Sequence, residues 1–227
     1  MKHSILFIIS LTCAFATKAQ HIVFIPKLGT SIHTLKGDDY YDYERKSQVG
    51  FAGGIGAEIG LSKENRFALQ PELLFVTKGA KFIDTPKDGF VRGDDVYKLN
   101  YLEIPVLLKV STRPNKVTFF ANAGPSLAIG IGGKFKFIDV NKNTTSLPIV
   151  FKNTTDINDV NINPRIDYGF QLGAGINYKI GNAKMVTETR YGLGLNEIEN
   201  KSRLGIKMVN RFLLVIVGVL IPLTKNK

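Results

Sequence analysis

Glu58, Glu72, Glu103, Asp167 and Glu188, together with Lys78, Lys109, Lys179 and Arg190, are the residues with the most chemistry to offer in this chain. All lie in segments where apolar residues alternate with small or polar ones, and all sit on the small-or-polar parity. Paired glutamates are the material of acid–base catalysis or of a proton or ion path. The plainer alternative is a salt-bridged plug. Charges gathered in a narrow interior must be paired, because an unpaired buried ion costs several kcal/mol. Depth counted from the segment ends puts Glu72, Glu103, Glu188 and Arg190 near the middle. Arg190 is expected to bridge two or more of these glutamates, since its planar fork donates to two carboxylates at once. Glu58 and Lys109 complete the expected network. The plug is preferred because a filled interior leaves no room for a substrate.

The elements that position these charges are strands. In Ile166–Ile180, residues Ile166, Tyr168, Phe170, Leu172, Ala174, Ile176, Tyr178 and Ile180 take one parity, and Asp167, Gly169, Gln171, Gly173, Gly175, Asn177 and Lys179 take the other. Only a β-strand puts successive side chains on opposite faces. Similar segments run over 23–32, 49–61, 66–82, 98–110, 117–137, 184–195 and 208–223, which makes eight. The fifth is expected to bend at Pro125 and at Gly132-Gly133. The last (FLLVIVGVLIPL) is apolar on both parities. It is too short for a spanning helix, and its Val and Ile favour a strand with Leu213, Val215, Val217, Val219 and Ile221 outward.

The connections are long and short in turn. Segments 62–65, 111–116 and 181–183 are short and rich in Ser, Asn, Pro and Gly, whereas 33–48, 83–97, 138–165 and 196–207 are long and mostly polar. An even strand count with this alternation describes an all-β, eight-stranded antiparallel up-and-down transmembrane barrel. Both termini then lie on the periplasmic side. The barrel must close, because an open sheet edge in lipid would strand backbone donors and acceptors.

Targeting agrees with this. Lys2 and His3 precede an apolar stretch from Ile5 to Ala16 and a small-x-small site at Thr17-Lys18-Ala19, so residues 1–19 read as a signal peptide and 20–227 as the barrel domain. The lone Cys13 lies within the signal. Ser10 and Thr12 before it fit a lipoprotein site poorly, so the mature chain is expected to have no disulfide, thiol catalysis or cysteine metal site. The formal net charge is +11, and without a recognition motif it points to an acidic lipid surface, or to a plain solubility effect, rather than to nucleic acid. Mean hydropathy is near neutral at +0.03, as in a barrel whose every second residue faces inward.

Other motifs read plainly. His21 and His33 lack a third histidine in the mature chain, so neither a metal site nor a serine–histidine hydrolase is expected. Asp38-Asp39-Tyr40-Tyr41-Asp42 reads as an acidic external loop rather than a cation site. Gly130, Gly132 and Gly133 precede no helix and make no phosphate loop. Asn143-Thr144-Thr145 and Asn153-Thr154-Thr155 match the glycosylation sequon, a poor guide in a bacterial-looking protein. Phe67, Tyr101, Tyr168, Tyr178 and Tyr191 near strand ends suit interfacial girdles.

Three stretches carry a family resemblance. They are Leu69-Gln70-Pro71-Glu72-Leu73-Leu74-Phe75 with Lys78-Gly79-Ala80-Lys81; Leu99-Asn100-Tyr101-Leu102-Glu103-Ile104-Pro105-Val106-Leu107-Leu108-Lys109; and Phe120 with Ala123-Gly124-Pro125-Ser126-Leu127. In this order, with Glu188-Thr189-Arg190-Tyr191 and Asn210-Arg211, the chain resembles the PorT-type outer-membrane β-barrel family of the Bacteroidota. The resemblance implies an eight-stranded outer-membrane barrel and, for its named member, an accessory role in protein secretion. Such barrels usually end in an aromatic residue, whereas this chain ends Ile221-Pro222-Leu223 and a polar Thr-Lys-Asn-Lys tail.

The expected function is a non-enzymatic barrel that is structural, receptor-like or a secretion accessory. It would use no cofactor, and its partners would be outer-membrane lipid and a periplasmic or surface protein. Three alternatives stand beside it. A membrane-embedded lipid- or peptide-acting enzyme would need a nucleophile and base at the outer rim, where His33 is the only obvious base. A small channel would need an open lumen. A soluble periplasmic ligand-binding barrel would put the apolar parity inside and the glutamates in water.

Overall fold

The period-two alternation becomes strand along nearly the whole chain. The structure, a computed structural model, describes residues 22–37, 43–62, 66–85, 93–113, 115–151, 160–181, 183–200 and 207–223. The expected signal segment with Cys13, and also His21, the acidic 38–42 loop and the 153–155 sequon, lie outside the described residues. The strands are β1 (Ile22–Gly37), β2 (Tyr43–Gly60), β3 (Phe67–Asp84), β4 (Asp94–Ser111), β5 (Val117–Ile138), β6 (Thr144–Val150), β7 (Val160–Asn163), β8 (Ile166–Ile180), β9 (Ala183–Gly194), β10 (Ile198–Asn200) and β11 (Lys207–Pro222).

Eight of them make the wall. Antiparallel pairing runs β1-β2-β3-β4-β5-β8-β9-β11, and β11 returns to β1 from Val23↔Pro222 to Gly37↔Met208. A closed ring leaves no unpaired edge for lipid to meet. The turn end is tight. The Leu61 N–H donates to the Phe67 carbonyl at 2.8 Å, and Gly181 between β8 and β9 has φ +56°, a left-handed turn conformation that glycine adopts without strain.

The loop end is more ordered than the polarity of its connections suggests. β1 extends to Gly37 and β2 begins at Tyr43, so little of the expected 33–48 loop remains. β5 also outgrows β8, and β11 outgrows β9. Above that short β8–β9 hairpin the wall continues through β6, β7 and β10, with β6 and β7 parallel. The loop-end ring therefore has nine strands. The turn from β5 to β6 is held by the Asp139 carboxylate, which accepts from the N–H groups of Asn141 and Asn143, both at 2.8 Å, and from the Asn143 amide at 3.0 Å. The Asn143 side chain, then its backbone N–H, keep that carboxyl below its ordinary range.

The expected bend at Pro125 has no counterpart in the strand register. Its register with Phe170 is continuous with that of its neighbours. The irregularity is at Ile131, where Asn100 pairs with Gly132 and Tyr101 with Gly130, leaving Ile131 without a partner on β4. Such a bulge reverses which parity faces inward. Below it Phe120, Asn122 and Ala128 point in; above it Phe135 does.

The apolar parity faces out and the glutamates face in, the reverse of what a soluble barrel needs. On β3 the outward apolar run goes from Phe67 to Phe75, on β4 from Leu102 to Val110, with Phe75 level with Leu102. Each run is close to the roughly 9–11 residues that a tilted strand uses to cross a bilayer. β11 is greasy on both sides for two reasons: Val215, Val217, Val219 and Ile221 are exposed on the belt, while Phe212, Leu214, Ile216 and Leu220 pack inside. Val217 lies mid-belt opposite Leu28, so Val217→Arg should cost about 2–4 kcal/mol of folding free energy in bilayers. Urea titration of the barrel in lipid vesicles measures it, and a shift below ~1 kcal/mol would contradict this placement of the belt.

Candidate functional site

The interior is assembled rung by rung from inward residues of different strands. At its centre four charges alternate in a closed ring. Arg190 on β9 donates through Nη1 and Nη2 to the two carboxylate oxygens of Glu72 on β3, at 2.9 and 3.1 Å. Its Nη2 and Nε reach Glu188 Oε1 at 2.6 and 3.1 Å. Lys27 on β1 closes the ring, with Nζ 2.6 Å from Glu72 and 2.9 Å from Glu188. The Arg190, Glu72 and Glu188 side chains have 0 % exposure, so the ring is closed off from bulk solvent. Two positive and two negative groups leave no net charge to be solvated, the condition under which a buried network is tolerable.

Amides add further hydrogen bonds to the ring, although Gln70 Oε1 and Asn122 Oδ1 are themselves left without a partner among the described residues. Gln70 donates to Glu72, and Asn122 donates to Glu188. The Gln171 carbonyl accepts from Arg190 at 3.0 Å while its amide donates to Glu103 at 2.7 Å. Glu103 therefore joins Arg190 through Gln171 rather than directly. Its own cation is Lys78, 3.3 Å away, whose Nζ also lies 4.5 Å from the Phe212 ring centroid. Glu58 and Lys109 form a separate pair nearer the turn end at 2.7 Å, with Lys109 over the Phe120 ring at 3.9 Å. Toward the loop end Asp167 accepts from the Asn210 amide at 2.7 Å.

Glycines make the room. A Cβ on Gly56 would come within 3.2 Å of the Glu72 side chain, and one on Gly173 within 2.5 Å of Asn122 and 3.2 Å of Arg190. In a barrel this narrow, the largest side chains fit only where the neighbouring inward position has none.

The network is one layer among several. Val23, Ile25, Phe120, Val186 and Leu220 pack toward the turn end. Ala52, Leu74, Val76, Phe212, Leu214 and Ile216 line the wall on the β2, β3 and β11 side. A larger cluster including Leu35, Tyr97, Leu99, Tyr101, Phe135, Phe151 and Met208 fills the loop end. The plug thus has its densest charge at the middle and apolar clusters toward both ends, with the Glu58–Lys109 pair set among the turn-end residues.

Three expectations need correction. Lys179 holds the inward parity, but β8 has already passed the end of the barrel there, and its side chain is exposed on the turn rim. Tyr101 is not in a girdle: it is fully buried in the lumen, its ring 5.4 Å from that of Phe151. Tyr168 and Tyr191 do face outward. His33 does not end its strand at the rim; it points inward, 2 % exposed, with its ring 5.5 Å from Phe212. Sequence reasoning also missed Lys27. Both parities around it carry apolar residues, Val23 and Ile25 on one and Phe24 and Leu28 on the other, so alternation did not separate its faces. Gln70, Asn122 and Gln171 did lie on readable inward parities, but as neutral residues they offered no charge to draw notice.

Arg190→Ala leaves Glu72 and Glu188 with one cation between them and should destabilise the barrel by about 3–5 kcal/mol. Arg190→Lys keeps the charge but not the fork, and should fall between the two. Heat-modifiable gel mobility in detergent, with urea midpoints, reads both; an unchanged shift in Arg190→Ala would remove the network from its structural role.

Among curated proteins no sequence matches. Neisserial surface protein A is similar at 12% identity and TM-score 0.43, over 86% of this chain and 96% of that one. Ail, the attachment invasion locus protein of Yersinia pestis, is similar at 13% and TM-score 0.40, over 88% and 99%. The outer membrane protease OmpT of Escherichia coli is similar at 10% and TM-score 0.38, over 89% and 95%. The family model for the outer membrane protein beta-barrel domain matches residues 18–200, most of the closed wall. The chain belongs to that family of outer-membrane barrels.

Proposed function

We propose that this protein is a non-enzymatic outer-membrane barrel that meets its partners through its loop-end rim, with the turn end and both termini in the periplasm. The observation that carries this reading is the filled lumen. Apolar and ionic layers follow one another from Val23 and Ile25 to Phe135 and Phe151, so the interior serves the fold and leaves the surface for function. His33, the base that an enzymatic reading would use, faces Phe212 inside the lumen rather than a substrate at the rim. The paired glutamates are each engaged by Lys27, Lys78, Lys109 or Arg190, which suits bracing better than proton transfer.

Among structural, receptor-like and secretion-accessory roles, the PorT-type resemblance in 69–81 and 99–109 favours the last, with a periplasmic or surface protein as partner and a cleaved signal at 1–19. Affinity capture from intact outer membranes tests the partner. Planar bilayer recordings test the lumen, where no steady single-channel conductance is expected and a stable open level would overturn the reading. Orientation is tested by cysteine labelling. Asn143→Cys, in the β5–β6 turn, should react with an impermeant maleimide in intact cells, and Lys116→Cys, in a turn-end connection, only after permeabilisation. The reverse pattern would invert the barrel.

A further inference from the structure

We propose that a groove on the outer wall, at the loop-end edge of the apolar belt, binds the phosphate-bearing headgroup of an outer-leaflet glycolipid. The inference rests on the orientation proposed above. The groove, of about 390 Å³, is lined by Val49, Phe51, Thr77, Lys98, Asn100 and Lys134.

Its level on the wall is set by the belt. Phe75, Leu102 and Ile129 share a rung, and on β3 and β4 Phe75 and Leu102 are the last outward apolar residues before polar ones begin. Two residues further on, Thr77 pairs with Asn100, and the Thr77 hydroxyl donates to Asn100 Oδ1 at 3.2 Å. That bond leaves the Asn100 amide hydrogens free to point into the groove. Polar side chains immediately beyond a full-length apolar run lie at the depth of lipid headgroups.

The charge pattern selects an anion. Lys98 and Lys134 are directly opposed across β4 and β5, and both are exposed. Opposed like charges repel. Elsewhere at the loop end this is compensated: Lys46 opposes Lys81, but Lys46 lies 3.5 Å from Glu44 and Lys81 2.8 Å from Asp94. Among the described residues Lys98 and Lys134 make no ion pair. A second uncompensated pair, Lys179 and Lys184, stands on the turn rim in open solvent rather than beside a groove. A phosphate seated between Lys98 and Lys134 relieves their repulsion and can accept from the Asn100 amide.

The other wall of the groove selects a lipid rather than free phosphate. Val49 and Phe51 are 68% and 48% exposed, and the Phe51 ring lies 6.2 Å from that of Phe75 just below. An acyl chain descending from the headgroup would lie along these rings and the belt beneath them. A phosphorylated glycolipid fits both walls at once.

The test places the full-length barrel in phosphatidylcholine nanodiscs doped with bis-phosphorylated lipid A or with its dephosphorylated form, and counts lipid A retained per barrel after detergent transfer. The phosphorylated form should be preferred by about thirtyfold, the value for two lysines at a charged lipid surface. Lys98→Gln/Lys134→Gln should abolish the preference while leaving heat-modifiable mobility unchanged, and millimolar inorganic phosphate should not displace the lipid. Equal retention of the two lipids by the unaltered protein, an unaffected preference in the double variant, or displacement by inorganic phosphate would each overturn the proposal. Labelling of Asn143→Cys reads orientation separately, so an inverted barrel that still prefers phosphorylated lipid A in nanodiscs would refute the orientation and leave the groove standing.

Discussion

Hydrocarbon accepts no hydrogen bonds, so every peptide group of this chain that crosses the bilayer must find its partner in another strand, and the pairing of β11 with β1 completes that requirement. The seam explains the composition of β11. One face belongs to the belt and the other to the interior cluster of Phe212, Leu214 and Ile216, so the strand is apolar throughout. The same requirement explains the loop end. Where β8 and β9 stop short, β6, β7 and β10 take up the edges of β5 and β11 rather than leave them bare.

Closure creates the second constraint, a narrow interior shielded from water. Charge can enter it only in balanced groups, and the ring of Arg190, Glu72, Lys27 and Glu188 meets that condition by alternating sign. Such a network contributes less to net stability than its short distances suggest, because desolvation offsets most of the attraction. What it supplies is a brace between β1, β3 and β9, which are not neighbours in the sheet. Gln171 and Asn122 extend the brace to β8 and β5. A register slip in any of these strands would turn its member of the network toward lipid.

The outside of the barrel is shaped by the bilayer in the same way. On β3 and β4 the belt ends on a common rung at Phe75 and Leu102, and beyond the neutral pair Thr77 and Asn100 stand two opposed lysines, Lys98 and Lys134. Interior and exterior thus treat charge oppositely: inside, Lys27, Lys78 and Lys109 each have a carboxylate within reach, whereas on the outer wall Lys98 and Lys134 face one another without one among the described residues.

Alternation along the chain determined a great deal without coordinates: the strand class, the even wall, the outward face of nearly every strand, and the inward placement of Glu72, Glu103, Glu188 and Arg190. Period two is a local property, and each segment states its own faces. Which charges touch was not local. Lys27 entered the central ring because β1 sits between β2 and β11, and Glu103 was separated from Arg190 by a glutamine on β8 that no spacing relates to either. The Ile131 bulge, the nine-stranded loop-end ring and the burial of Tyr101 and His33 likewise depend on where one strand outlasts its neighbour. By itself the sequence determined a two-faced wall and the charges it must hide; only the closed tertiary structure decided how those charges pair, because distance across a barrel is set by strand order and register rather than by separation along the chain.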